Sequence, residues 1–208
     1  MDISFEDLNE LQLDALKEIG NIGAGNAATA LSKMVDRKVA MDVPRVKILP
    51  LKDVPSWLGG AEKEVLGVYL TMTGQITGHI FFVIDLDNAL NMTQILMGEM
   101  APDREKLLNL DEIATSAMNE IDNILSSSYL SALADFTGLS LNHSVPAMAI
   151  DMAGAIVDLV FIEISQHGDY AFLIETDFVE EERSITGYFM LIPDSGSLEI
   201  ILQSIGAA

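Results

Sequence analysis

Asp14-Ala-Leu-Lys-Glu18-Ile-Gly-Asn21 and Ser116-Ala-Met-Asn-Glu120-Ile-Asp-Asn123 are two versions of one pattern, each followed at the same distance by a proline, Pro44 and Pro146. Every marker is displaced by 102 positions. The apolar residues move with them: Leu8, Leu11, Ala15, Ile19 and Ile22 become Leu110, Ile113, Ala117, Ile121 and Ile124. Spacings of three and four are helical, so each copy predicts an amphipathic helix with this stripe as its buried face. A repeat of this length sets the architecture of the whole chain.

Working outward, Ile76-Thr-Gly78-His79-Ile-Phe81 matches Ile185-Thr-Gly187-Tyr188-Phe-Met190 at an offset of 109, which implies a small insertion between the two matches. Both segments run into β-branched and aromatic residues that read as strands, then into helical patterns ending at Gly98 and Gly206. Each half thus reads helix, extended segments, strands, helix. The prediction is an α+β fold, one domain over residues 1–208 built of two repeats, about 1–104 and 105–208, related by a pseudo-twofold axis with helices packed on a sheet. Ser4 with Asp7, and Asn109 with Glu112, resemble capping boxes at the two motif helices. The polar, proline-bearing stretch Ala101–Lys106 reads as the joint between halves. Glu180-Glu181-Glu182 reads as a solvated loop between strands.

The chain has 208 residues, half of them hydrophobic, so a sizeable core is expected. Eleven Lys and Arg against 32 Asp and Glu leave a formal charge of −21. That balance argues against nucleic acid, whose backbone is neutralised by clustered cations, and against an anionic membrane surface. The acidity fits either a saline habitat or a cationic partner surface. With no cysteine there is no disulfide, no thiolate nucleophile and no Cys-based zinc site. The first residues carry acid where a secretory signal carries Lys or Arg, so a cytoplasmic location is expected. Apolar runs such as Ile80-Phe-Phe-Val-Ile84 are far shorter than the roughly 20 residues of a bilayer span, and read as core.

On a helix, residues at i, i+4 and i+7 project in nearly the same direction. Asp14, Glu18 and Asn21 therefore share one narrow arc at the edge of the buried stripe, and Ser116, Glu120 and Asn123 do the same in the second copy. Isolated Glu and Asn on a helix edge are ordinarily just solvated. Here, however, they persist in register between halves whose other surface positions have diverged. The shared prolines read as fixing a turn or the start of a strand. A carboxamide can orient water without acting as a strong base, and a carboxylate can accept a proton or pair with a cation. Neither patch is a complete active site, because no nucleophile, no Ser–His pairing and no phosphate cradle accompanies it. The missing chemistry would come from the substrate.

Together with the run Glu18-Ile-Gly-Asn-Ile-Gly-Ala-Gly-Asn26, and with Ser131-Ala-Leu-Ala-Asp135 and Val145-Pro146, these motifs make the chain resemble the CheC family of chemotaxis phosphatases over essentially its whole length. The resemblance implies hydrolysis of the aspartyl phosphate on the response regulator CheY. By it, Asn21 and Asn123 would align the attacking water, and Glu18 and Glu120 would dock against the regulator near its site lysine. Asp14, Ser116, Pro44 and Pro146 would support the motifs. No cofactor is expected in this chain, since the regulator carries its own Mg²⁺. The resemblance also implies a second partner, the receptor deamidase CheD, with Asp151, Met152 and Ala155 as the candidate docking segment; on its residues alone that segment reads as closing the core. The chain is expected to be monomeric. The alternative is a non-catalytic CheY- or CheD-binding adaptor of the flagellar switch type.

One departure bears on the second patch. It lacks the glycines at positions matching Gly20, Gly23 and Gly25, and Asp122 sets a negative charge beside Asn123 in sequence, though about 100° round the helix. The two patches are therefore expected to be unequal. Gly23-Ala-Gly25-Asn-Ala-Ala28 fits a loose dinucleotide fingerprint, but a helix already leads into it, so its small residues read as a packing surface. His79, His143 and His167 lack the short spacing of helical metal sites. The 11 Met residues read as core filling. Trp57 fits either packing over the core or contact with a partner.

Overall fold

In a computed structural model the chain is described over residues 8–164, 170–180, 183–194 and 196–204. Its elements in order are α1 (Glu10–Val35), β1 (Ala40–Pro50), α2 (Val54–Trp57), β2 (Glu64–Gly74), β3 (Gly78–Asp85), α3 (Leu86–Met97) and α4 (Arg104–Leu108). Then follow α5 (Glu112–Thr137), β4 (Leu141–His143), β5 (Ala147–Met152), α6 (Ala153–Ile164), β6 (Tyr170–Glu180), β7 (Arg183–Pro193) and α7 (Ser197–Ser204). The strands form one antiparallel sheet in the order β1-β6-β7-β3-β2, with β4 and β5 both on the free side of β2. The halves exchange strands: β1 of the first pairs with β6 of the second, and β4 and β5, which together match β1, pair with β2 of the first.

The sheet is covered on both faces, and this explains the unbroken apolar run in β3. Ile80, Phe82 and Ile84 point into a core shared with α1 and α5. The alternate residues Phe81 and Val83 point into a second core closed by α6 and the region around Val54. Period-two alternation therefore carries hydrophobic side chains to both sides, as in sheets buried between helical layers.

The helix boundaries differ in part from those expected. Ser4, Asp7, Gly206, His167, Glu181 and Glu182 lie outside the described residues. The N-cap of α1 is Asn9, whose side chain accepts from the Gln12 amide at 3.0 Å while Gln12 Oε1 accepts from the Asn9 amide at 2.7 Å. The cap of α5 is Asp111 rather than Asn109, its carboxylate accepting from the Ala114 amide at 2.8 Å. Gly98 ends α3 with φ of 59°, the left-handed conformation its lack of a side chain permits. The joint between halves contains a short helix, tied down where Arg104 donates to Asp87 at 2.7 Å and to Glu64 at 2.8 Å.

The buried stripe of α1 also lies about one position away from the expected one. Leu11 is 69% exposed and Ile113 45% exposed, whereas the side facing the core is Gln12, Leu16, Ile19, Gly20, Gly23, Ala24, Ala27 and Leu31. Adding 102 to each gives Ala114, Met118, Ile121, Asp122, Leu125, Ser126, Tyr129 and Leu133, and every one is buried in α5. The inward face of α1 is thus repeated in full in α5, which also buries Ala117, Ser128, Leu130, Ala132 and Thr137. Hydropathy missed it because Gln, Gly and Ala carry little apolar signal.

The glycines of α1 serve close packing. A Cβ on Gly23 would lie 2.4 Å from Tyr129 Cδ1, and one on Gly20 would lie 3.4 Å from Ile174 Cδ1. Tyr129 is not free to retreat, since its ring stacks on Phe189 at 4.2 Å between centroids and its hydroxyl bonds Thr176 Oγ1 at 3.0 Å. Overpacking of this kind costs about 1–3 kcal/mol, while replacing a helical glycine by alanine gains only about 0.5–1 kcal/mol. Gly23→Ala should therefore lower the urea midpoint, and an unchanged midpoint would show that the two helices separate at no cost.

Candidate functional site

The two predicted trios lie where the helical arithmetic puts them. Asp14, Glu18 and Asn21 are exposed on α1, and Ser116, Glu120 and Asn123 are exposed on α5. The two helices pack against each other on one face of the sheet. Asp14 Oδ1 accepts from Lys17 Nζ at 3.2 Å. Among the described residues the side chains of Glu18, Asn21, Glu120 and Asn123 take part in no hydrogen bond or ion pair, so both carboxamides and both carboxylates present their full hydrogen-bonding capacity outward.

The misplaced stripe enriches these patches. Leu11, Glu18 and Ile22 project within about 40° of one another, and Leu11 and Ile22 are exposed. In the second copy Ile113 occupies the position of Leu11 and is exposed as well. Each trio is therefore bordered by apolar surface, the composition of a protein-binding patch more than of a solvated edge.

The prolines interrupt strands. β1 shifts register between Asp42 and Arg45, and Pro44 lies inside that irregularity. Pro146 lies between β4 and β5, which together occupy the place of β1 in the second half. Both are on sheet edges, where a missing amide proton is tolerated. Pro146 stands at the start of a strand as expected; Pro44 marks a bulge instead.

Asp122, expected beside the second patch, points into the core with 0% exposure. Ser126 Oγ donates to its Oδ1 at 3.4 Å, and Oδ2 has no partner among the described residues. Burial pushes its pKa from 3.8 up to about 7, with the Ser126 hydrogen bond opposing. Its charge is thus withdrawn from Asn123 by direction.

The structure also brings together a pair that sequence reasoning excluded. Ser127 Oγ lies 3.2 Å from His143 Nε2, and His143 Nδ1 lies 2.9 Å from the Ser144 carbonyl oxygen. A carbonyl only accepts, so Nδ1 carries the proton and Nε2 accepts from the serine. Ser127 is one turn beyond Asn123. No repeat signal could reveal the pair, because the matching residues are Gly25 and Met41. His79 is engaged elsewhere, with Nδ1 2.6 Å from the Tyr69 hydroxyl. No group of side chains among the described residues is arranged to hold a metal ion, and no described helix is long and apolar enough to cross a membrane.

The candidate second docking segment straddles a strand end. Asp151 and Met152 are exposed at the end of β5, and Ala155 is half-buried in the first turn of α6. Beyond it α6 exposes Leu159 and Ile162. Trp57 is half-buried, with Lys47 Nζ 4.1 Å above its ring.

Fold and site together define a class: a duplicated α+β domain that displays the same Glu–Asn motif on each of two paired helices. The CheC-like family matches residues 11–48 and 113–150, one segment in each half. The CheY-P phosphatase CheC of Bacillus subtilis (strain 168) is 36% identical over 206 residues, 98% of each chain. The crystal structure of Thermotoga maritima FliY matches with a TM-score of 0.76 at 24% identity, covering 96% of this chain and 98% of that one. A chain of the FliG–FliM complex from H. pylori matches with a TM-score of 0.68 at 14% identity, covering 94% and 100%. This chain belongs to the CheC-like family.

Asp122 yields a pH prediction. In the unfolded chain it ionises near pH 4, whereas in the fold it holds its proton to about pH 7. Between those values the folded state binds the extra proton, so this group's burden is absent below pH 4, grows as pH rises and is complete above pH 7. Asp122→Asn should raise stability more at pH 8 than at pH 5, by on the order of 2 kcal/mol in thermal or urea unfolding. An equal gain at both values would show that Asp122 is not buried as an acid.

Proposed function

We propose that this chain hydrolyses the aspartyl phosphate of phosphorylated CheY at two similar patches, Glu18 with Asn21 and Glu120 with Asn123. The observation that carries the reading is the pair of Glu–Asn sets whose side chains have no partner among the described residues, in the same register on two exposed helix faces and bordered by exposed Leu11 and Ile113. The 36% identical relative is a CheY-P phosphatase. In this mechanism the carboxamide of Asn21 or Asn123 enters the regulator's site and holds a water in line with phosphorus. The water oxygen bonds to phosphorus and the bond to the aspartyl oxygen breaks, giving inorganic phosphate and a free carboxylate. An acyl phosphate is already activated, and the partner's own Mg²⁺ and lysine offset the charge, so positioning is the main contribution asked of this chain. Glu18 and Glu120 serve as docking groups. The reading takes the chain as a cytoplasmic monomer without a cofactor of its own.

The fold is shared with a chain of the FliG–FliM complex, which favours an adaptor as the second reading. Decay of phosphorylated CheY separates the two. Wild-type protein should accelerate it, Asn21→Ala and Asn123→Ala should each remove one patch with unequal residual rates, and the double variant should lose roughly 10²-fold or more while remaining folded. Binding without acceleration, in wild type as in the double variant, would make the chain an adaptor; equal residual rates would mean equivalent patches.

CheD is the proposed second partner, docked at Asp151, Met152 and Ala155. The exposure of Asp151 and Met152 beside Leu159 and Ile162 supplies one charge and an apolar border, the usual make-up of an interface anchor. Asp151→Ala should weaken CheD binding in a calorimetric titration by tenfold or so, given the ~1–2 kcal/mol of a desolvated charged hydrogen bond. Unaltered affinity would assign that surface to another role.

A further inference from the structure

The duplication extends beyond the Glu–Asn patches into a pair of clefts, and there the two halves part. Along α1, Ala28 and Ser32 follow Asn21 at i+7 and i+11 and so continue its face toward the helix C-terminus. They help line a shallow, open cleft of about 670 Å³, bordered by the loop after the helix. Along α5, Leu130 and Ala134 follow Asn123 at the same intervals and help line a cleft of about 270 Å³. Four lining positions correspond at the offset of 102: Ala28 with Leu130, Thr29 with Ser131, Ser32 with Ala134, and Val39 with Leu141. Four of the eight lining positions of the first cleft and four of the seven of the second thus correspond.

Their chemistry is not copied. The first cleft is rimmed by Lys33, Arg37 and Lys38, against the single acid Asp36. Lys33 and Lys38 make no ion pair among the described residues. Lys33 is in the last turn of α1, and the loop that bears Arg37 and Lys38 is fixed, because Ser32 Oγ both donates to the Val39 carbonyl and accepts from the Val39 amide, each at 2.9 Å, and Asp36 holds a left-handed φ of 51°. The lining of the second cleft includes no Lys, Arg, Asp or Glu; it carries the Ser127–His143 pair with Ser131 and Asn142 instead.

Three of the chain's 11 basic residues are thus gathered beside one patch of a protein with net charge −21. A phosphorylated partner is anionic at its reacting centre and is repelled by the field of this chain as a whole. A fixed cationic rim offsets that repulsion locally and selects an orientation. Asn21 and Lys33 are twelve residues apart, roughly 18 Å along the helix at 1.5 Å per residue. That distance fits inside an interface of about 800 Å² per partner.

We propose that the first cleft receives an acidic segment of the phosphorylated receiver docked on Asn21, whereas the second holds the same receiver by neutral hydrogen bonds. The two patches then differ in how they respond to salt. This inference rests on the phosphatase reading and adds to it which patch recognises charge.

The test isolates each patch. Asn123→Ala protein reports the first patch and Asn21→Ala protein the second, with KM for phosphorylated CheY measured at low and high NaCl. Screening over a Debye length of about 10 Å at 0.1 M salt should raise KM roughly fivefold or more through the first patch, and leave it level or lower it through the second, where only the chain's net negative charge acts. Lys33→Gln with Lys38→Gln, added to Asn123→Ala, should raise KM severalfold at low salt and remove its rise with salt, leaving only the fall in KM that screening of the chain's net negative charge produces, with the loss in KM rather than kcat. Equal salt dependence at both patches, or a loss confined to kcat, would overturn the inference. If neither asparagine variant alters the decay of phosphorylated CheY, the catalytic reading fails separately. Calorimetry of beryllofluoride-loaded CheY with Mg²⁺ then decides the docking inference, since unchanged affinity for Lys33→Gln/Lys38→Gln protein overturns it and a severalfold weakening at low salt supports it.

Discussion

The pairing of β1 with β6, and of β5 with β2, is the constraint on which the rest of the molecule depends. Each half lends its first strand to the other, so neither half retains a complete set of strand partners alone. Once the strands are exchanged, the helices that lead into them, α1 and α5, must lie side by side over the centre of the sheet. Their mutual packing then fixes which way each helix is turned about its axis. With Ile19 and Ile121 both driven into the core, Glu18 and Asn21 on one helix, and Glu120 and Asn123 on the other, are left facing outward. The display of the motif is therefore a consequence of strand exchange and not of local helix preference.

Close approach of those helices needs small residues on one side. Gly23 provides it against Tyr129, whose ring is held by Phe189 and whose hydroxyl is held by Thr176. Burial of that hydroxyl pushes its pKa to about 12, so it stays a neutral hydrogen-bonding group at any pH the protein meets. The duplicates of Gly23 and Tyr129 are Leu125 and Ala27. Large and small have been exchanged between the helices, which keeps the summed volume at the seam while breaking the symmetry of its parts, the kind of compensation that dense cores tolerate.

Much of this was legible in the sequence because the duplication supplied an internal comparison. The helices, the strand-bearing segments, the C-terminal cap at Gly98 and the outward arc of Asp14, Glu18 and Asn21 all followed from spacing. The buried stripe did not, since its inward residues in α1 include Gln12, Gly20, Gly23 and two alanines, while Leu11 and Ile22 carry the hydropathy yet face outward. Strand exchange was equally hidden: a repeat reveals that two segments match, but not which partner each one chooses. The Ser127–His143 contact joins the middle of α5 to a strand of three residues, and has no copy to betray it.

Asp122 and the two clefts show where divergence was permitted and what it did. A glycine at position 20 became an aspartate at position 122 in the interior, where the carboxyl stays protonated up to about neutral pH and its charge is kept from the surface near Asn123. Farther along the same helices, outside the core, Lys33 and Lys38 stand on one side, and the matching positions on the other are Asp135 and Ser140. The inner face therefore changed in ways that hide charge, and the outer rim changed in ways that display it. Between them the four Glu and Asn positions stayed fixed, although nothing in the fold holds their side chains. For side chains without a hydrogen bond or ion pair among the described residues, packing offers no reason to persist, and a demand from outside the chain is the constraint that remains.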